Sequence, residues 1–375
     1  MSQSRHLRIA TVITLSGELL LAACAPPPPP KYHGDVVILM VDQFGHQPLV
    51  SSNSSDSTDN CVLKPDSQAY HISGIGGKNL PKPHGQMIYD EYQWLLENKL
   101  RMTAASIPIS GTMDIANHSL PLISSIADFQ STDRTFTITL AQLDMDYISS
   151  KLELPTITAQ LTAAMKYFNA RGQNQFVISM SFAIVPCEVL NLIQNSDTGA
   201  VNKFGSIYSE NNNAAYTAYM NARRLDPIIV LFREDLNRLA ENDHIILVAA
   251  SGNWNLKFPF APALWDGVLA VSAKPDNNIG FEPNSGDVMV DGSHPISTSL
   301  VGTSFAVPRV GVLAAKYLLK TGTSKCKGSI ARNTDYLAPM KYAGLSDGDL
   351  SWKNLDLSTA ALKYCSDFPV SLDLP

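Results

Sequence analysis

The chain has 375 residues, of which 45% are hydrophobic and 17% are charged, and its formal net charge is −6. This length and composition are typical of a folded globular protein with a sizeable core and exclude a disordered chain. Because the net charge is negative and the sequence contains no long basic block, we expect no nucleic-acid partner.

Residues 1–23 have the pattern of an export signal. Arg5 and Arg8 precede an apolar run that is too short for a comfortable membrane span, and small residues follow the run. The sequence LAAC at 21–24 resembles the bacterial lipobox. This resemblance implies cleavage before Cys24, attachment of lipid to its sulfur and a partner membrane. An ordinary secretory signal cut nearby and an uncleaved anchor are the alternatives.

A proline-rich segment follows the predicted lipidation site. Five consecutive prolines lie within residues 24–34, and they predict a stiff, extended linker. Ala25 resembles the residue at this position in Gram-negative lipoproteins, which implies an exported protein on the outer membrane. We predict a domain over residues 35–322 and a C-terminal extension over 323–375.

Four further cysteines lie beyond the linker, namely Cys61, Cys187, Cys326 and Cys365. An exported protein can oxidise them, and four cysteines allow three pairings. Free buried thiols are the alternative.

Strand and helix patterns alternate along the domain. Continuous apolar runs predict buried strands, and apolar residues at helical spacing predict helices. In chain order, the predicted elements are a strand at 35–42, a helix at 84–96, a strand at 135–144, a helix at 156–172, a strand at 175–183, a largely helical segment at 210–241 broken at Pro227, strands at 244–253 and 267–274, and a helix that begins close to Ser304. The alternation predicts an α/β fold with a mostly parallel central sheet flanked by helices.

Polar residues lie at the predicted carboxyl ends of these strands. Asp42 ends the first strand, Asn253 ends the strand at 244–253, and Ser304 opens a later helix. Functional sites of such sheets form at this edge. A serine near a helix N-terminus lies where backbone N–H groups favour a developing negative charge.

A nucleophilic serine needs a base, and the base needs an orienting acid. We select Ser304, His84 and Asp42 for these roles, with the Asn253 amide as an oxyanion donor. The weaker rivals are Asp35 at the start of its strand, His46 shortly after Asp42, and His294 in a loop before Ser304. Each selected residue also has a purely structural alternative: Asp42 as a turn former, His84 as a loop residue, Asn253 as a tight-turn asparagine, and Ser304 as a helix cap.

Four sequence segments together resemble the subtilisin-like serine proteases. They are Asp42 after its apolar strand, His84-Gly85, the sequence ASGN at 250–253, and the sequence GTSFAVP at 302–308. Their order, Asp then His then Ser, is that of subtilisin. The resemblance spans roughly residues 35–320 and implies a three-layer subtilisin-like fold.

The resemblance implies roles for these residues. Ser304 is the implied nucleophile, His84 the general base, Asp42 its orienting acid, and Asn253 an oxyanion-hole donor. The sequence VISMS at 177–181, within the predicted strand 175–183, resembles the strand that lines the primary specificity pocket. Phe182 and Ala183 depart from the family, which usually has glycine there, so a side chain could narrow the substrate groove.

The implied activity is that of a serine endopeptidase acting on a protein or peptide through an acyl-enzyme, with no cofactor required. Calcium often stabilises this family, and Asp56 and Asp59 are the candidate ligands, with ordinary solvated carboxylates as the favoured interpretation. The alternatives are a catalytically silent domain that binds a peptide or partner protein, and an enzyme that processes itself once. The residues after Asp42 and His84 also depart from the family pattern and motivate the silent alternative.

Overall fold

A computed structural model describes residues 34–42, 44, 70–73, 82–106, 125–132, 135–144, 154–186 and 227–325, the last range with breaks at 255, 257, 266, 278–280 and 296–299. The predicted signal peptide, most of the linker, His46, Asp56, Asp59, all cysteines and residues 326–375 lie outside the described residues. Among the helices of the described ranges, none is both long and apolar enough to cross a membrane.

The described strands and helices have the following bounds. The strands are β1 Val36–Asp42, β2 Tyr70–Ser73, β3 Thr103–Ser106, β4 Ser125–Gln130, β5 Thr137–Asp144, β6 Gln175–Met180, β7 Ala183–Pro186, β8 Ile245–Ala250, β9 Val268–Ala273 and β10 Val288–Val290. The helices are α1 His84–Trp94, α2 Leu154–Asn169, α3 Pro227–Ala240 and α4 Thr303–Thr321, and a π-helical turn at Leu95–Lys99 continues α1.

Eight of these strands form one sheet, in the order β10-β9-β8-β6-β1-β5-β4-β3. All neighbours from β10 to β5 are parallel, whereas β4 and β3 add to the β5 edge in antiparallel pairing. β2 and β7 form a separate two-stranded sheet. The predicted α/β class with a mostly parallel sheet is therefore confirmed.

The central strand β1 is buried on both faces. Val37, Leu39 and Val41 pack in the cluster that also contains residues of α2 and α3. The alternating residues of β1 pack in the opposite cluster, with α1 and α4. Helices therefore cover both faces of the sheet in three layers, which explains why β1 reads as a continuous apolar run.

Two predicted elements differ in their bounds. The strand predicted over 175–183 ends as β6 at Met180, because the chain leaves the large sheet there and pairs as β7 with β2. The helical prediction over 210–241 is described only from Pro227, which takes the first helical position. Proline is favoured at this position because the N–H that it lacks would have no partner within the helix.

Candidate active site

Asp42 and His84 form a buried hydrogen-bonded pair. Asp42 is the last residue of β1 and His84 the first residue of α1, and they are 1% and 5% exposed. Nδ1 of His84 lies 2.9 Å from Oδ1 of Asp42 and 3.0 Å from its Oδ2. Because a carboxylate can only accept, Nδ1 is the nitrogen that carries a proton, and in the neutral imidazole Nε2 then keeps its lone pair. The pair therefore presents a basic nitrogen held in one orientation.

Helix α1 has a defined start and is anchored to the sheet. Pro83 precedes it in an extended conformation, and the Pro83 carbonyl accepts from Met87 N–H at 3.2 Å. Two turns after His84, the Tyr92 hydroxyl donates to Ser179 Oγ of β6 at 2.8 Å. The Asp42–His84 and Tyr92–Ser179 bonds therefore tie the helix to the sheet at two points.

Ser304 is the second residue of α4 and is 5% exposed. The residue in the N-cap position is Gly302, so the alternative that Ser304 is the helix cap is wrong. Gly302 carbonyl accepts from the N–H groups of Phe305 and Ala306. Within the described part of the chain, the Ser304 N–H has no acceptor, as expected for the first turn of a helix. It remains a donor beside the Ser304 hydroxyl.

Pro308 lies inside α4 and has a local structural consequence. Proline has no N–H, so Pro308 cannot bond the Ser304 carbonyl, which lies four residues before it. The Ser181 hydroxyl donates to that carbonyl at 3.2 Å instead, and the Ser304 hydroxyl donates to the Ser181 carbonyl at 2.9 Å. A reciprocal pair of hydrogen bonds therefore joins the start of α4 to the end of β6.

Asn253 is held by Thr303, the residue before Ser304. Oδ1 of Asn253 accepts from Thr303 N and from Thr303 Oγ1, both at 3.0 Å. Thr303 Oγ1 also accepts from Gly252 N–H at 3.2 Å. With Oδ1 bound to Thr303, Nδ2 is the donor that remains on the Asn253 side chain. The two bonds to Thr303 place this amide next to the residue before Ser304.

The ring of His84 lies near the first turn of α4, but no direct hydrogen bond joins His84 to Ser304 in the described residues. The rings of His84 and Phe305, the residue after Ser304, have centroids 6.0 Å apart. No hydrogen bond joins the Ser304 hydroxyl to His84 in the described residues, because this hydroxyl is turned to the Ser181 carbonyl. Transfer of the serine proton to His84 requires rotation of the hydroxyl away from Ser181.

The predicted substrate-lining residues are all buried. Ser181 is 1% exposed and contacts Ser304 as described. Phe182 and Ala183 are 1% and 3% exposed, and both belong to the core cluster on the α2 and α3 side of the sheet. The side chain of Phe182 therefore packs in the core in this structure.

Two of the rival residues are described: Asp35 lies at the far edge of the sheet, whereas His294 lies beside Phe305, with ring centroids 5.1 Å apart. Asp35 precedes β1, and its carboxylate accepts from Thr137 N–H at 2.8 Å, at the sheet edge opposite Asp42. A ring nitrogen of His294 lies 3.4 Å from the Met87 carbonyl, and the ring packs edge-on against Phe305. Burial lowers the pKa of His294 and favours its neutral form.

Three further groups at this edge were not predicted from the sequence. Asp144 ends β5, and its carboxylate accepts from Phe44 N–H at 3.2 Å. Its sequence pattern is that of Asp42, an acidic residue at the end of an apolar strand. Glu91 of α1 lies 3.3 Å from the Arg309 guanidinium of α4 and has no exposed surface. Asn284 binds the loop that contains Asn253. No sequence pattern marks the last two positions.

The described ranges contain no group of three or more His, Cys, Asp or Glu side chains placed to hold a metal ion. The calcium candidates Asp56 and Asp59 lie outside those ranges.

No protein-family model matches the chain, and no curated protein matches it. Its function is therefore inferred from its own residues.

Proposed function

We propose that the chain is a subtilisin-like serine endopeptidase that cleaves a protein or peptide substrate. The observation that carries the proposal is the buried Asp42–His84 pair, with Nδ1 bound to both carboxylate oxygens and Nε2 left as a base. The same sheet edge carries Asn253 after β8 and the α4 N-terminus with Ser304. Support for the subtilisin-like fold comes from the three-layer parallel architecture and the Asp–His–Ser chain order.

The proposed reaction passes through an acyl-enzyme. Ser304 Oγ attacks the carbonyl carbon of the scissile bond while Nε2 of His84 takes the hydroxyl proton. The carbonyl oxygen gains negative charge and accepts from Asn253 Nδ2 and Ser304 N–H. The C–N bond then breaks as His84 passes its proton to the leaving amine.

Water completes the cycle. It attacks the acyl carbon while His84 takes one of its protons, and the Ser304 oxygen leaves and regains a proton from His84. Throughout, the Asp42 carboxylate stabilises the transient imidazolium.

A specific observation favours a second candidate function, a silent domain that binds a peptide or partner protein. The Ser304 hydroxyl donates to the Ser181 carbonyl at 2.9 Å, not to His84. A serine held there permanently would not be activated. The two candidates differ in one measurable property, which is the nucleophilicity of Ser304.

Labelling by a fluorescent fluorophosphonate tests the proposal, since this probe reacts with activated serines. The full chain is compared with Ser304→Ala and His84→Ala. Ser131→Ala is the matched control, because Ser131 precedes β5 at the opposite edge of the sheet. Circular dichroism checks that each protein is folded.

We expect labelling of the wild type and of Ser131→Ala that is lost in both site variants. A folded wild type without labelling would overturn the proposal and favour the silent domain. Incubation with a peptide library, followed by mass spectrometry of the peptides, then separates an endopeptidase from an enzyme that processes only itself. Self-processing would appear as a change in the mass of the chain that depends on Ser304.

We also propose that the protein is exported and anchored to the outer membrane by lipid on Cys24. The support is the basic, apolar and LAAC pattern of residues 1–24. Metabolic labelling with a radioactive fatty acid should mark the wild type and not Cys24→Ala. Equal labelling of both proteins would contradict lipidation at this residue.

A further inference from the structure

We propose that Asn284 is a positioning residue that holds the oxyanion loop, defined here by the described residues 251–254 and 256, in the conformation that presents Asn253 to the reacting carbonyl. The inference rests on the proposed peptidase function and deepens it. Asn284 lies in the connection between β9 and β10, and the sequence analysis gave it no role.

The Asn284 side chain binds the loop on both sides of Asn253. Its Oδ1 accepts from the N–H groups of Trp254 at 2.9 Å and Leu256 at 3.1 Å. Its Nδ2 donates to the Ser251 carbonyl at 3.1 Å. One side chain therefore satisfies three backbone groups of a turn that makes no regular ladder there.

The Asn284 backbone adds further bonds to the same region. Asn284 N–H donates to the Gly252 carbonyl at 2.8 Å. The Asn284 carbonyl accepts from the hydroxyls of Ser251 at 2.9 Å and Ser272 at 2.7 Å. The residue has no exposed surface, so water cannot replace these bonds if they are lost.

The backbone of Gly252 explains how Asn284 reaches the loop. Gly252 has a φ of +110°, a backbone conformation that residues with a side chain rarely adopt. A Cβ atom at this position would lie 2.8 Å from Nδ2 of Asn284. Glycine at 252 thus permits both the turn and the close approach of the Asn284 amide.

Asn253 lies between two anchors. Thr303 fixes its side chain through Oδ1, as described above. Asn284 fixes the backbone before and after it. Without the second anchor, Nδ2 of Asn253 is still available as a donor, but its distance to the reacting oxygen is no longer fixed. The strength of an oxyanion donor depends on that distance.

An asparagine is the side chain that suits this position. It supplies one acceptor for two N–H groups and one donor for a carbonyl. An aspartate would remove the donor and bury a charge. An alanine would leave the N–H groups of Trp254 and Leu256 without the acceptor they have here, while the Ser251 carbonyl would keep its bond from Phe260 N–H.

The experiment is a double-mutant cycle in the full chain. Turnover of a peptide 4-nitroanilide, chosen from the cleavage profile, is measured for the wild type, Asn284→Ala, Asn253→Ala and the double variant. Each rate is divided by the concentration of protein that the fluorophosphonate labels, so that unfolded protein does not count. Ser272→Ala is the matched control, because it removes one hydrogen bond to Asn284 without touching the loop.

We expect Asn284→Ala to lower kcat by about 10- to 100-fold with KM within about 2-fold of the wild type. In the Asn253→Ala background the same change should cost less than about 3-fold, since the donor that it positions is already absent. Ser272→Ala should keep kcat within about 2-fold of the wild type. An equal loss in both backgrounds, or a loss confined to KM, would overturn the inference.

Amide hydrogen exchange gives a readout that does not need activity. The N–H groups of Trp254 and Leu256 should exchange faster in Asn284→Ala than in Ser272→Ala. Unchanged exchange at both positions would overturn the inference even if kcat fell. A folded wild type without turnover would overturn the proposed function, and with it the catalytic role of the loop. An active wild type in which the effects of Asn284→Ala and Asn253→Ala simply add would overturn the role of Asn284 alone.

Discussion

The ring of Tyr92 lies directly against Gly311, where α1 meets α4. A Cβ atom at position 311 would lie 2.9 Å from Cζ of Tyr92 and closer still to its hydroxyl. Because this hydroxyl donates to Ser179 Oγ at 2.8 Å, the ring cannot move away without losing that bond. The contact therefore fixes the separation of the helices that carry His84 and Ser304.

Gly311→Ala should lower the free energy of unfolding by about 1–3 kcal/mol, since the added methyl group must displace the Tyr92 ring. Urea denaturation measures the change. In Tyr92→Phe the hydroxyl is absent, so adding Gly311→Ala to that variant should cost less than it does in the wild type. Equal costs in the two backgrounds would show that the tyrosine hydroxyl is not the obstacle.

Asp42→Asn should lower kcat by about 10⁴-fold while the fold is retained. An asparagine can turn its NH₂ group to Nδ1 of His84, which places the imidazole proton on Nε2 and removes the base. The rate is measured with the same chromogenic peptide. Asp144→Asn is the matched control, because Asp144 ends the neighbouring strand and binds Phe44 N–H; it should keep most of the activity. Similar losses in both variants would contradict the specific role of Asp42.

The strands of the parallel core could be predicted from the sequence because they are buried on both faces. β1, β8 and β9 are continuous apolar runs, and their observed bounds lie within the predicted ones. β4 and β10 lacked such a signal. β4 lies near the sheet edge and is only partly buried, and β10 has three residues. The order of strands within the sheet also depends on packing between distant segments, which no local pattern encodes.

The sequence singled out Asp42 and His84, which hydrogen bonds join in the structure, but not the residues that hold the loop of Asn253. Asp42 and His84 could be found because Asp42 ends a strand and His84 opens a helix. Asn284 could not, because its role consists of bonds to backbone groups about 30 residues away. Glu91 lies on the apolar face of α1, and only Arg309, far along the chain, explains a carboxylate there.

Thr303→Val should lower kcat by about 10-fold, and Thr303→Ser should leave it nearly unchanged. The hydroxyl at 303 donates to Asn253 Oδ1 and accepts from Gly252 N–H, and serine retains both bonds. Valine has nearly the same shape without the hydroxyl. Steady-state kinetics on both variants provide the test, and a loss with serine that equals or exceeds the loss with valine would contradict the role of the hydroxyl.

The buried pair of Glu91 and Arg309 should make stability depend on pH. Burial, and to a smaller extent the nearby Asp291, raise the pKa of Glu91 well above its ordinary value of 4.5, while Arg309 opposes the rise. The folded protein therefore keeps the Glu91 proton to a higher pH than the unfolded chain does. The stability that this proton provides is present below the unfolded pKa and is lost as the pH rises through the folded one.

Glu91→Gln removes this titration and keeps the shape of the side chain. The free energy of unfolding of the wild type, relative to Glu91→Gln, should therefore fall by at least about 1 kcal/mol between about pH 5 and about pH 8. Glu234→Gln, at an exposed position of α3, is the control and should show no such trend. A difference between wild type and Glu91→Gln that stays constant with pH would mean that the Arg309 guanidinium keeps Glu91 ionised over the whole range, and that the helices are joined by a permanent ion pair.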